Sequence, residues 1–364
     1  MRQAQQLALG RALVEHLQAG STFVADREVR NPVSAYLDAD RWQVERVRLF
    51  REHPVVVGLA SQLPQSGDFS TFDLPDVPVL VIRGEDGRTR CLVNACRHRG
   101  ALLSSEPCGH ARLLVCPFHA WSYRTDGRLA AIPDAAGFTG IEKEQLSLRV
   151  LPTVERFGLV WAWPALSCAD DAGGAALSVD LDARLEAFLG AGLVDELRSY
   201  GLEGYHHFRS TTIPVRANWK LMYDTFLEFY HGTYIHKSTL AHLMERNLVH
   251  FDRLGEHWRM AAVKKSAREM LVQEPKEWEV LRHAVLSYDV FPNLAVNVHG
   301  DHVAVYRVLP GDRPEESVWH FSLLTPEPVV GEKAERYFAK NFDYIVGTGM
   351  EDVGAAEGIQ RTLR

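Results

Sequence analysis

Two short words hold the residues best suited to chemistry: Cys96-Arg97-His98 and, after seventeen further residues, Cys116-Pro117-Phe118-His119. Two thiols and two imidazoles at that spacing describe a metal centre. By ligand type the set suits tetrahedral zinc, but the common finger order places both cysteines before both histidines. Here each segment supplies one of each. That distribution suits a [2Fe–2S] cluster in which one iron takes two thiolates and the other two imidazoles, with a potential raised to roughly −150 to +300 mV. Such a site passes single electrons. A zinc ribbon is the competing reading.

The elements that carry these words read as an all-β domain. Short apolar runs (HPVVVGLA, PVLVIRGEDGRTRCLVNA, ARLLVCPFHAWSY, RVLPTVERFGLVWAWP) alternate with turn signals such as Gly84-Glu85-Asp86-Gly87 over residues 41–165. The ligand words then fall at loop tips. Gly100 and Pro117 suit tight turns there, while Phe118, Trp121 and Tyr123 are placed to shield the sulfurs or to serve as ordinary core. A polar Gly-rich stretch, Ser167 to Gly174, reads as a linker.

Beyond it the pattern changes. Leu181 to Leu197 reads as helix, the segments HWRMAAVKK, HAVLSYDVFPNLAVNVHGDHVAVYRVLP and ESVWHFSLLTPEP as strands with a hairpin turn at Gly300-Asp301, and the segment from about Gly331 to the end as helix again. Strands and helices in separate runs predict an α+β domain, a curved antiparallel sheet gripping helices. The domain organisation expected is an N-terminal helical segment over residues 1–40 packing on the catalytic domain, the all-β domain over 41–165 and the catalytic domain over 166–364.

This second domain carries a second constellation, Glu228, His231 and His236. On a continuous helix Glu228 and His231 share a face about 60° apart, whereas His231 and His236 diverge by about 140°. Both histidines reach one metal only if the helix breaks between them, and Gly232 is the expected breaking point. Two histidines and a carboxylate make the facial triad of non-haem Fe(II) oxygenases, with positions open for O₂ and substrate.

Together the words resemble the Rieske non-haem iron oxygenases, the aromatic-ring-hydroxylating family, in the α or terminal oxygenase subunit. Cys96-x-His98 and Cys116-x-x-His119 are similar to its cluster signature, and Asn218-Trp219-Lys220 with Glu228-x-x-His231-x-x-x-x-His236 to its catalytic signature. The resemblance implies a Rieske domain followed by a helix-grip, START-like catalytic domain. It implies one [2Fe–2S] cluster on Cys96, His98, Cys116 and His119, and one Fe²⁺ on His231, His236 and an acid near the C-terminus. The family's acidic pair followed by glutamine resembles Glu351-Asp352 with Gln360, which points to Asp352, with Asp343, Glu351 and Glu357 as competitors. Glu228 stands where the family more often has Asp. It takes the part of the inter-subunit electron-transfer bridge, with Asp224 as competitor, and Glu there resembles the trimeric branch acting on quaternary amines.

The implied activity is mono- or dioxygenation of an aromatic or other largely apolar compound with O₂. Oxidative N- or O-demethylation of an alkylated substrate is the alternative at the same site. A Rieske electron carrier or a zinc-stabilised binding protein would be the readings of another class. No dinucleotide fingerprint is visible, so a separate NAD(P)H-dependent reductase, with or without a ferredoxin, is the expected partner, and a homotrimer the expected assembly. Phe226, Phe229, Leu240 and Leu243 are candidate pocket residues, with Asn297 and His299 on a strand able to face it.

Composition agrees with an enzyme of this kind. The 364 residues are 46% hydrophobic and 24% charged, with a net charge of −7 that argues against a nucleic-acid surface. Leu9, Leu13, Val14 and Leu17 recur at helical spacing, too interrupted for a signal peptide, and no window suits a membrane span. A cytoplasmic location follows as an expectation, with Cys91, Cys108 and Cys168 as free thiols.

Overall fold

The structure is a computed structural model describing residues 1–138, 140–165 and 180–363, so the Ser167–Gly174 stretch and Cys168 lie outside the described residues. The chain forms two compact units, one from Glu45–Phe188 with Leu202–Gly204 and the other from Met1–Val44, Leu189–Gly201 and Tyr205–Arg364.

The first unit is built of β-strands. A five-stranded sheet has the order Cys108–His110, Asp68–Leu74, Val77–Arg83, Thr89–Val93 and Val150–Leu151, all antiparallel, and two three-stranded sheets accompany it. One of these, Leu113–Val115, Ser122–Arg124 and Leu129–Ala131, carries the second ligand word between its first two strands. Leu80, Ile82, Leu92, Leu114, Trp121 and Tyr123 form one apolar cluster that also contains Cys96 and Cys116. The thiols are thus part of the core, whose low polarity shields them from water.

The second unit is organised by a seven-stranded antiparallel sheet. Its order is His206–Val215, Ser317–Thr325, Val303–Pro310, Leu294–Val298, Ala284–Val290, His257–Lys264 and Met244–Leu254. Registration lines up Met260, Ser287 and Asn297 across three neighbouring strands. Because side chains alternate with period two, Met260, Ala262 and Lys264 share that face.

The last helix, Glu332–Thr362, lies against the sheet through Phe342 on Phe321, ring centroids 5.1 Å apart. A Cβ on its Gly349 would come within 1.8 Å of the Trp319 ring, so only glycine permits this approach. The N-terminal helix Gln3–Ala19 buries Leu9 and Leu13, and its Gly10 also packs on a tryptophan, Trp278, 2.6 Å from a built Cβ. Helix Leu181–Tyr200 is interrupted at Gly190, with φ 74° and ψ 151°. No helix of the described residues is long and apolar enough to cross a membrane.

The predicted helix through Glu228 to His231 is absent. The helix begins at Trp219, capped by the Asn218 side chain accepting from Lys220 N, and stops at Asp224. Successive turns follow, closed by Gly232 N–H to Phe229 O, Tyr234 N–H to His231 O and Ala241 N–H to His236 O. The chain therefore leaves the helix before Glu228, not after His231. Gly232 has a different role from the one expected: a Cβ there would lie 2.6 Å from the Phe229 ring, so close packing requires the glycine.

Candidate metal centres and cavity

The two cysteine loops are built alike. Cys96 N–H donates to Ala101 O and Gly100 N–H to Cys96 O, while Cys116 N–H donates to Trp121 O and Ala120 N–H to Cys116 O. In each loop the fourth residue after the cysteine has positive φ, Gly100 at 74° and Ala120 at 59°. Glycine takes that conformation freely and alanine under some strain. Asn94 braces the first loop, its Oδ1 accepting from the amides of Leu103 and Ser104 and its amide donating to Ser104 O. Sequence reasoning missed it, since a lone asparagine carries no spacing signal.

Both loops converge. The His98 and His119 rings are 4.8 Å apart, and His98 stacks on Trp121 at 4.9 Å. Cys96 and Cys116 are 3% and 2% exposed and neither is in a disulfide. Tyr123, fully buried, accepts from Arg97 N–H and lies 3.2 Å from Cys96 Sγ, where its hydroxyl can donate to a metal-bound thiolate. Phe118 is 57% exposed and does not shield the thiols as Trp121 and Tyr123 do. Two buried thiols on one side and two adjacent imidazoles on the other fit a cluster with mixed ligation.

In the second unit, His231, His236 and Asp352 bring one ligand atom each within 4.8 Å of one another. Asp352 Oδ1 lies 3.6 Å from His231 Nε2 and 3.2 Å from His236 Nε2. Each imidazole is held from behind by a carboxylate. His231 Nδ1 bonds Glu228 Oε1, whose other oxygen accepts from His231 N–H at 3.1 Å. His236 Nδ1 bonds Glu351 at 2.7 Å, and Glu351 is fixed in turn by Ser238 and Thr239. A carboxylate on Nδ1 sets the tautomer that leaves Nε2 free as a ligand.

Burial alone would lower the pKa of His236, but Asp352 and Glu351 outweigh it and raise it. Burial would raise those of Glu228 and Glu351, yet their histidine partners draw both below the usual range. Two nitrogens and one oxygen on one side of a shared space suit a divalent iron with open positions.

The competing acids have other engagements. Glu351 serves His236 Nδ1, Glu357 pairs with Arg216, and Asp343 is exposed. Asp224 accepts from Tyr36 OH at 2.8 Å. Gln360 and Asn218, named from their motifs, meet: Gln360 Oε1 accepts from Asn218 N–H at 2.9 Å, tying the last helix to the start of Trp219–Asp224.

A cavity of about 320 Å³ opens beside the triad, a size suited to a small organic molecule. Phe226, Phe229, Leu240 and Leu243 line it, as do Asn297 and His299. It is not uniformly apolar: Lys264, Asp301, His302 and Tyr337 also line it. His299 faces the cavity as its strand position allowed, whereas His302, Lys264 and Tyr337 carry no sequence signal for a site.

Comparison with known proteins follows the same division. Residues 53–152 match the Rieske [2Fe–2S] domain and residues 202–364 the ring hydroxylating alpha subunit catalytic domain. The glycine betaine monooxygenase oxygenase subunit of Pseudomonas aeruginosa strain UCBPP-PA14 is 28% identical over 66% of this chain and 52% of its own length. The alpha subunit of 2-aminobenzenesulfonate 2,3-dioxygenase from Alcaligenes sp. is 31% identical over 61% of this chain and 53% of its own. The chain thus spans about half the length of these curated relatives. A crystal structure of the quaternary ammonium Rieske monooxygenase CntA superposes with a TM-score of 0.74 at 20% identity, covering 91% of this chain and 84% of that one, which establishes likeness of fold. By its two matched domains, the chain belongs to the Rieske-type ring-hydroxylating oxygenases, as an α subunit.

Proposed function

We propose that the protein is the terminal oxygenase of a multicomponent Rieske system, hydroxylating an aromatic or other largely apolar compound with O₂. The observation that carries this reading is the convergence of His231, His236 and Asp352 within 4.8 Å on the wall of a cavity of small-molecule size. When bound, the cluster supplies single-electron transfer and the mononuclear Fe(II) supplies O₂ activation.

The chain's own residues prepare and protect that chemistry. Cys96, His98, Cys116 and His119 hold the cluster, and Tyr123 donates to the Cys96 sulfur, stabilising its negative charge. Glu228 and Glu351 hold the two imidazoles with Nε2 toward Asp352. Phe226, Phe229, Leu240 and Leu243 keep water from the reacting face and orient the substrate. Glu228 is 48% exposed on its side chain while bonded to His231, so its outer side is open to a donor from a second subunit. This supports its part as electron-transfer bridge in a homotrimer fed by an NAD(P)H-dependent reductase, with or without a ferredoxin.

Oxidative demethylation of a quaternary amine is the second reading. Tyr306 and Trp319, stacked at 5.6 Å on the cavity wall, offer aromatic faces to a cation, and one relative is named for glycine betaine.

His236→Ala is the test of the oxygenase reading. It should abolish substrate-dependent O₂ uptake and remove the mononuclear iron while the visible spectrum of the cluster persists. Retained turnover would refute the triad assignment, and formaldehyde in the product mixture would favour demethylation.

A further inference from the structure

Among the cavity's polar groups, Asp301, His302 and Tyr337 are joined by hydrogen bonds that do not involve the triad. Gly300-Asp301 turns the hairpin between Leu294–Val298 and Val303–Pro310, closed by His299 N–H to His302 O at 3.0 Å. The turn stacks the His299 and His302 rings at 4.3 Å. His302 Nδ1 bonds Asp301 Oδ1 at 2.8 Å, and Tyr337 OH donates to Asp301 Oδ2 at 2.5 Å. Both oxygens of this carboxylate are therefore engaged. Across from the hairpin, Lys264 ends its strand on the cavity-facing side and donates to Arg282 O at 3.3 Å.

What this cluster leaves unused indicates its ligand. The Nε2 atoms of His299 and His302 are buried and have no hydrogen-bond partner among the described residues, and His302 as a whole is 7% exposed. An ammonium has three donors, and Lys264 spends one on Arg282. Burial lowers the Lys264 pKa, with only Asp301 opposing it, and burial with the neighbouring cation holds His299 neutral, its pKa at about 3. Unsatisfied buried polar atoms and a partly desolvated cation each cost stability until something pairs with them.

We propose that Lys264 Nζ and His299 Nε2 bind an oxyanion, a carboxylate or sulfonate, carried by an otherwise apolar substrate. The anion anchors at the solvent-open end beside Tyr337, which is 52% exposed, and the apolar body extends along Phe226, Phe229 and Leu240 toward the triad. The inference rests on reading the cavity as the substrate site, and its test needs no turnover.

Iron-loaded protein would be titrated calorimetrically with benzoate, 2-naphthoate and benzenesulfonate and with the corresponding neutral amides. At least one anion should bind about tenfold or more tightly than its amide, as a charge-assisted contact predicts. Lys264→Met should erase that preference while changing amide binding less than about threefold, and Lys264→Arg, which keeps the charge, should retain most of it. Preference for a carboxylate or for the sulfonate would identify the head group. Amides binding as tightly as the anions, no measurable binding of any anion, or equal losses for both classes in Lys264→Met would overturn the proposal. Loss of substrate-dependent O₂ uptake with the binding preference intact would instead count against the oxygenase reading alone.

Discussion

Gly349→Ala sets two physical effects of opposite sign against each other. In the interior of an ordinary helix, alanine is favoured over glycine by about 0.8–1.0 kcal/mol. At Gly349 the added Cβ would stand 1.8 Å from Trp319 Cη2, with two more ring carbons at 2.5 and 2.9 Å. Carbon atoms pack at roughly 3.5–4.0 Å, so the helix or the indole must yield by roughly 2 Å. Trp319 is 2% exposed and stacked on Tyr306, which leaves it little room. Overpacking of a filled core costs typically 1–3 kcal/mol, and this displacement belongs at the upper end. After subtraction of the helical gain, the net loss is about 2 kcal/mol. In a domain of this size that lowers the melting temperature by about 4–8 °C.

The same displacement moves Asp352, three residues further along the helix, so bound iron should fall as well. Thermal unfolding followed by near-ultraviolet circular dichroism, with iron assayed after gel filtration, measures both. Gly347→Ala and Gly354→Ala are the controls, because neither built Cβ meets any atom within 4 Å and both should be neutral or stabilising. A Gly349→Ala protein that melts at or above the wild-type temperature would refute the reasoning.

Glu351→Gln removes the charged partner of His236 Nδ1 and should weaken iron binding by about 10–100-fold, measured by competition with a chelator; unchanged affinity would exclude the orienting role. Tyr123→Phe deletes the hydroxyl aimed at Cys96 Sγ, and the cluster's reduction potential should fall because the reduced, more negative state loses its donor; spectroelectrochemistry giving the wild-type potential would contradict this. Arg259→Met breaks a pair whose side chains, Arg259 and Glu196, are 8% and 6% exposed, and the abandoned charge should cost about 3–5 kcal/mol in urea unfolding. Burial would raise the Asp252 pKa, but bonding to His250 and the Arg259 charge bring it below the ordinary carboxylate value. A depressed carboxylate stabilises above the unfolded pKa of about 3.9 and loses that contribution as pH falls through the folded value. Asp252→Asn should therefore flatten the acid limb of the stability profile, and an unaltered limb would count against the assignment.

The local words were legible because their chemistry is local. Cys96-x-His98 and Cys116-x-x-His119 each sit within one turn whose amide bonds close around the cysteine, so spacing alone brings each thiol and imidazole to one loop tip. Alternation of apolar residues likewise marks the strands, and the hairpin at Gly300-Asp301. The helix through Glu228 was misjudged because its periodicity resembled a helix, whereas the packing of Phe229 on Gly232 fixes a series of turns.

Tertiary structure alone decided the rest. Glu351 and Asp352 are neighbours on one helix and differ by about 100° around its axis, and no sequence pattern sets the rotation of a helix against a sheet. That rotation belongs to the contact of Gly349 with Trp319. It turns Asp352 toward both Nε2 atoms and Glu351 toward His236 Nδ1. The cavity's polar end has the same origin, since Lys264 and the Asp301 hairpin meet only through the registration of the sheet.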